Sequence, residues 1–201
     1  MNLRFQYNKT SLQILDKQLK IRKRALPTLK NKESALRTEV KFAKERTVFL
    51  INELEKMIAE EEKNMMMWQE FDPSLIRVNE LKISHKKIAG VKTPELQEIS
   101  FNTKEFDLFA NPKWFLKGIE NAKSMMQVVI EKQLSEKKQE MLEYARKKTT
   151  QKVNLYEKVQ IPAYETAILK IKRFLEDEDN LTKAAQKIVK TRQQKRAEAE
   201  L

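Results

Sequence analysis

Apolar residues recur in steps of three and four from Leu12 to Met57, through Leu15, Leu19, Leu26, Leu29, Leu36, Val40, Ala43, Leu50 and Leu54, with Arg22, Glu33 and Thr47 as the polar members of the row. The row is an a/d heptad held for nearly seven repeats. An ordinary amphipathic helix drifts out of a strict seven-residue repeat, so a seam this long predicts a left-handed coiled coil. A second row on its flank, Ile14, Ile21, Thr28, Ala35, Phe42 and Phe49, makes the apolar face wider than a two-helix seam requires and predicts contact with another protein.

Asn8, Thr10 and Ser11 are competent N-caps, which places the helix start between residues 8 and 11. Pro27 removes one backbone hydrogen bond. Because the heptad register is the same on both sides of it, a bend is expected rather than a stop. The acidic stretch Glu53 to Glu62, the apolar Met65-Met66-Met67-Trp68 and then Asp72-Pro73 mark the end. At 1.5 Å per residue, roughly sixty residues span about 90 Å.

From residue 74 the period changes. Ile76 and Val78 alternate, then Leu81 and Ile83 alternate on the other phase, as in a bulged strand; Ile99 and Phe101 suggest a second strand after Gly90 and Thr93-Pro94. Asn111-Pro112 reads as a fresh helix start. Helical spacing then runs through Trp114, Phe115, Ile119, Ala122, Met126 and Val129, slips near Gln133, and resumes at Ile161, Tyr164, Ile168, Ile171 and Leu175, with Pro162 as a second kink and helix to about Lys195. The expected fold is mainly α, a long antiparallel two-helix coiled-coil hairpin with a small β-hairpin in the middle. Its parts are an N-terminal helix (1–70), a middle segment (71–112) and a C-terminal helix (113–201).

Composition narrows the chemistry. The 201 residues include two glycines and no cysteine, 35% are charged, and the net charge is +12. With Gly90 and Gly118 alone no P-loop spacing exists, and with His85 as the one histidine no zinc set can be assembled. His85 reads as solvated or locally hydrogen-bonded, and Glu60-Glu61-Glu62 and Glu176-Asp177-Glu178-Asp179 as solvated helix faces. No apolar run approaches the ~18 residues of a membrane span. Residues 1–46 carry 13 Lys/Arg against 4 Asp/Glu, residues 146–196 carry 14 against 6, and residues 47–145 carry 14 against 17. Both ends are therefore basic; side by side they would form a positive pole that seeks an acidic surface. Met65 to Trp68 reads either as an adaptable partner surface or as a plug at the end of the coil.

Three segments carry a resemblance. Asn8-Lys9 with Leu12, Leu15, Leu19, Leu29-Lys30, Lys32 and Leu36 resembles the N-terminal helix of the D subunit of the V/A-type rotary ATPases. Ile88-Ala89-Gly90-Val91 with Pro94, followed by Trp114, is similar to that family's middle segment, and Val153-Asn154, Tyr156-Glu157 and Ile161-Pro162 to its C-terminal signature. The resemblance implies a non-catalytic central-stalk rotor component without a cofactor. It would transmit torque between the catalytic A/B hexamer and the membrane ring that carries out ion transport, in a complex that couples ATP synthesis or hydrolysis to hydrogen ion or other ion transport.

On that reading both termini lie inside the A/B hexamer, with Lys9, Lys187, Lys190, Arg192, Lys195 and Arg196 as a bearing. Ile88, Ala89, Gly90 and Val91 lie in the lower rotor near the F subunit, above a socket subunit (C/d) on the ring. The expected coiled-coil seam is Leu12, Leu15, Leu19, Leu29, Leu36, Val40, Leu50 and Leu54 on the N-terminal helix and Ile161, Tyr164, Ile168, Ile171 and Leu175 on the C-terminal one. The location would be cytoplasmic and peripheral on the cytoplasmic membrane face, with no membrane insertion and no nucleic acid. The alternative suggested by the charge is a basic coiled coil that binds nucleic acid or tethers; it would be retained on a DNA or RNA column in a salt-dependent way.

Overall fold

The computed structural model describes residues 4–105 and 111–199, with side chains as far as Arg196; residues 106–110, late in the expected middle segment, lie outside the described residues. The elements in order are α1 (Lys9–Glu61), a 3-10 turn (Glu62–Asn64), α2 (Met65–Trp68), a 3-10 turn (Pro73–Leu75), β1 (Ile76–Ile88), β2 (Val91–Thr103), α3 (Phe115–Asn154), a π-helical segment (Leu155–Gln160) and α4 (Ile161–Ala199). The chain is mainly α, with a small two-stranded antiparallel sheet between long helical arms.

Helix α1 starts where a side chain satisfies its free backbone donors: Asn8 Oδ1 accepts from Ser11 N at 2.7 Å and Asn8 O from Leu12 N at 3.1 Å. It passes through Pro27 as one helix. The chain divides into two compact units, and α1 contributes to both: one holds the ends, up to Asn31 and from Thr150, and the other holds Lys32–Thr149.

In the first unit Leu15 and Leu19 are buried against Tyr164, Ala167, Ile168 and Ile171, with Phe5, Leu12, Ile161 and Leu175 partly buried around them. Partners run in opposite directions, Lys23 with Glu165 and Lys30 with Glu157, both at 2.6 Å, so α1 and α4 are antiparallel. The seam's polar member Arg22 donates to Gln160 Oε1 at 2.7 Å and to Gln18 O at 3.1 Å while its guanidinium lies 4.5 Å from the Tyr164 ring centroid.

The π segment sits two residues before Pro162. In an α-helix a proline ring collides with the carbonyl four residues back, and a π turn moves that carbonyl aside. The phase slip expected from the heptads lies near Gln133; the π segment at Leu155–Gln160 is a further irregularity that they do not show.

In the second unit Leu36, Val40 and Ala43 of α1 meet Leu142 of α3, and the hairpin turn residues Ile88, Ala89 and Val91 pack onto the same cluster. Leu36 and Leu142 are fully buried, each contributing on the order of 1.5–3 kcal/mol. Arg46 pairs with Glu131 at 3.0 Å, and Thr47, also in the seam, hydrogen-bonds Ser135 Oγ at 2.9 Å. A third cluster joins Leu75 and Ile76 to Phe115 and Ile119.

The β1/β2 register shifts twice, between Val78 and Glu80 and between Lys82 and Ile83. The first shift is the change of phase between the Ile76/Val78 and Leu81/Ile83 pairs. The second strand begins at Val91, earlier than expected, and includes Pro94 opposite His85; a two-stranded sheet has only edge strands, so a residue without an N–H is tolerated. The next helix begins later than expected. Pro112 lies in a turn closed by Phe115 N to Pro112 O at 3.0 Å, and α3 starts at Phe115.

Candidate functional site

Among the described residues no cluster of acid, histidine or cysteine side chains is arranged to hold a metal ion, and no helix is long and apolar enough to cross a membrane. What the structure offers is surface. Four parts of it stand out, each with a local cause.

The first is the end of α4. Tyr7 meets Phe174 at 4.9 Å between ring centroids, and Leu175 is the last α4 residue packed against the first unit's core. Every residue from Glu176 to Arg196 is exposed, because α1 begins only at Lys9 and supplies no partner for that length. Leu181, Ala184, Ala185 and Ile188 form a stripe on this segment, with Leu181 72% exposed and Ile188 55%. An unpaired helix of this kind is marginal in water, since most helix stability comes from packing an amphipathic face.

Of the expected bearing residues, Lys187, Lys190, Arg192, Lys195 and Arg196 lie on this segment, all exposed. Lys9, the first residue of α1, belongs near Phe174. The other five therefore sit roughly 20 to 33 Å further along α4, at about 1.5 Å per residue. The structure brings the five together and leaves Lys9 apart.

The second surface is the outer row of α1. Ile14, Ile21, Phe42 and Phe49 are each more than half exposed, and Arg46 lies over the Phe49 ring at 5.3 Å. The third is the β-hairpin. Its turn has Ala89 at φ +46° and Gly90 at φ +83°, the pair of left-handed residues that a tight two-residue hairpin turn needs. Of the four residues expected in the lower rotor, Ile88, Ala89 and Val91 are held against the chain's own helices and Gly90 is exposed. The hairpin's exposed apolar side chains are Val78, Leu81 and Ile83, expected from the sequence as strand residues rather than contact residues.

The fourth surface surrounds the end of α1. Trp68, Phe71, Trp114 and Phe115 form an aromatic knot with ring centroids 4.8 to 5.9 Å apart. Gly118 is required there, because a Cβ on it would stand 2.8 Å from the Trp114 ring. Glu61 ties the corner: its carboxylate accepts from Trp68 Nε1 at 2.8 Å, Asn64 Nδ2 at 3.3 Å and Asn121 Nδ2 at 2.6 Å. The Trp68 hydrogen bond, with those from Asn64 and Asn121 and the nearby Lys117 charge, holds its pKa below the usual carboxylate value against the opposing effect of burial. Trp68 thus plugs the corner, while Met65, Met66 and Met67 remain exposed.

The sequence model of the family described as the D subunit of ATP synthase matches residues 11–191. The chain belongs to that family. It is 33% identical over 180 residues to the V-type ATP synthase D subunit of Borreliella burgdorferi, covering 87% of each chain. Its identity to the V-type ATP synthase D subunit of Chlamydia trachomatis serovar L2 is 29% over 160 residues, covering 76% of this chain and 77% of that one. The corresponding protein of Chlamydia pneumoniae is 24% identical over 182 residues, 88% of this chain and 87% of its own. The matched span takes in both arms and the hairpin, and membership in this family makes the chain one component of a rotary ATPase complex.

Proposed function

We propose that this member of the family is the central-stalk rotor of a V/A-type ATP synthase or ATPase, a non-catalytic shaft that carries torque between a catalytic A/B hexamer and a membrane ion-translocating ring. The observation that carries the reading is the bare end of α4: a basic helix with an apolar stripe, extended past the last residue that its own chain covers. Such a segment fits the bore of a ring. Its lysines and arginines would face acidic lining, and its stripe of small and branched side chains would slide on apolar lining. An asymmetric helix pair turning in that bore presents a different face to each catalytic interface and so biases the three sites toward different states, with no chemistry of its own.

The F subunit is assigned to the β-hairpin, whose turn braces the helices at Leu36 and Val40 and whose Val78, Leu81 and Ile83 face outward. A socket subunit on the ring is assigned to the end of the chain's second unit around Trp68. The complex then places the chain at the cytoplasmic face of the membrane.

The test is a charge reversal at Lys187, Lys190, Arg192, Lys195 and Arg196 in the assembled complex, read as ATP-driven rotation. Loss of torque or of assembly with the A and B subunits is expected, while unchanged assembly and torque would reject the bearing. Lys9→Glu alone should have a smaller effect, since it lies apart from the five.

A further inference from the structure

Beside the Glu61 corner, the end of α1, the short α2 and α3 line an open apolar groove of about 390 Å³. One wall is built from Ile58 and Glu61 at the end of α1 and Met65 at the start of α2; the other is built from Ala122, Met125 and Met126 of α3, spaced i, i+3 and i+4. The α3 wall is a single helical face and α1 runs antiparallel to it, so the groove continues the valley between these two helices past the end of α1. That is the shape a third helix fills, with its own ridge of apolar side chains set between theirs.

The walls are unlike the rest of the pair. Three of the six are methionine, an unbranched and polarisable side chain that repacks around whatever enters. Met65 is 66% exposed and Ile58 48%, so neither is used by the chain's own core. The rim on the α1 side is acidic. Glu62 borders the groove, and Glu61 stays ionised because the donors that hold it lower its pKa.

We infer that this groove is the docking site for an amphipathic helix of a partner protein, one with an apolar stripe for the methionine-lined floor and Lys or Arg along the flank that faces Glu62. The occupant is a helix because the groove continues the valley between two antiparallel helices, and its flank is basic because the rim is acidic. The groove lies at the corner assigned above to a socket subunit, so the inference rests on that reading and deepens it by naming the kind of segment that docks there.

The full-length chain is titrated with a designed amphipathic helix that carries a leucine stripe and lysine flanks, and with a counterpart in which glutamate replaces the lysines. Methionine methyl NMR and Trp68 fluorescence report binding. The lysine-flanked helix should shift Met65, Met125 and Met126 and leave Met141 in place. Met65→Ala with Met125→Ala should weaken it about tenfold. Glu62→Lys, on an exposed position with no effect on folding expected, should weaken the lysine-flanked helix about twofold to fivefold and favour the glutamate-flanked one.

Equal binding of both helices, shifts confined to other methionines, or no binding at millimolar peptide would overturn the inference. A concentration-dependent dimer that shifts the same three methyls without peptide would overturn it too, because the occupant would then be a second copy of this chain. The rotor reading is judged separately: a chain that fails this titration but assembles with the catalytic subunits leaves it standing, and one that passes but does not assemble removes it.

Discussion

The Thr47 and Ser135 hydroxyls meet at 2.9 Å in the buried seam between α1 and α3, Thr47 7% exposed and Ser135 9%. Thr47 also donates to Ala43 O at 2.9 Å, so its single proton is used and Ser135 is the donor between the two hydroxyls. Thr47→Val keeps the shape and deprives Ser135 of its acceptor. Leaving a buried polar group unsatisfied costs about 1–3 kcal/mol, so a loss of about 1–2 kcal/mol is expected. Ser135→Ala removes the donor, leaves Thr47 with its backbone bond, and should cost about 1 kcal/mol or less. In Thr47→Val with Ser135→Ala nothing polar is stranded, and the cost should be at most about 1 kcal/mol, giving a coupling of about 1 kcal/mol between the sites.

Both tryptophans, Trp68 and Trp114, lie in the same compact unit as this pair, so their fluorescence reports the unit directly during urea unfolding. At a typical slope of about 1–3 kcal/mol per molar urea, the Thr47→Val midpoint should drop by roughly 0.3–2 M and the double variant's should largely recover. Additive single effects would show that the hydroxyls do not depend on each other and that the seam tolerates them for another reason.

Further outcomes follow from burial, titration and backbone geometry. Leu142→Ala should destabilise by about 2–5 kcal/mol, whereas Phe42→Ser, at a side chain 58% exposed, should stay within about 0.5 kcal/mol in the same unfolding assay. Glu61 has a folded-state pKa below its ordinary value, so its contribution is complete above that ordinary value and is lost as pH falls through the folded one. Wild-type stability should therefore fall on acidification more steeply than that of Glu61→Gln, with Trp68 fluorescence as the local readout. Gly90→Ala forces a side chain into φ +83° and should cost about 1–2 kcal/mol, seen as faster amide hydrogen exchange across Ile88 and Val91.

The long helices were legible because a seven-residue repeat is a property of the sequence itself. Arg22, Glu33 and Thr47 broke that repeat without ending the helix, and each is held in the structure: Arg22 by Gln160, Glu33 by Arg37 at 2.7 Å, Thr47 by Ser135. The strand phase change at Val78 was legible for the same reason, since a bulge rewrites a two-residue alternation. The π segment was not, because Leu155 to Gln160 contains no breaker, and Pro162, two residues beyond it, is no sufficient signal: α1 passes through Pro27 without a π turn. The start of α3 was misplaced because Asn111-Pro112 is a cap signal locally, while the packing of Trp114 and Phe115 on Phe71 sets where the turn tightens into helix. The bare length of α4 depends on which residues of the two arms lie opposite each other, which heptads leave open by whole repeats. The groove had a readable signal, Met65 four and seven residues beyond an acid and an isoleucine, but its second wall lies sixty residues away in sequence.

The chain has no cysteine, so one introduced at Lys190→Cys would be unique. With a second cysteine placed in the bore of the catalytic ring of the assembled complex, oxidation would bolt the end of α4 to the ring. If this helix turns inside the ring as a shaft, the disulfide should stop ATP turnover coupled to ion movement, and a reductant should restore it. Full coupled turnover with the crosslink in place would contradict the rotor.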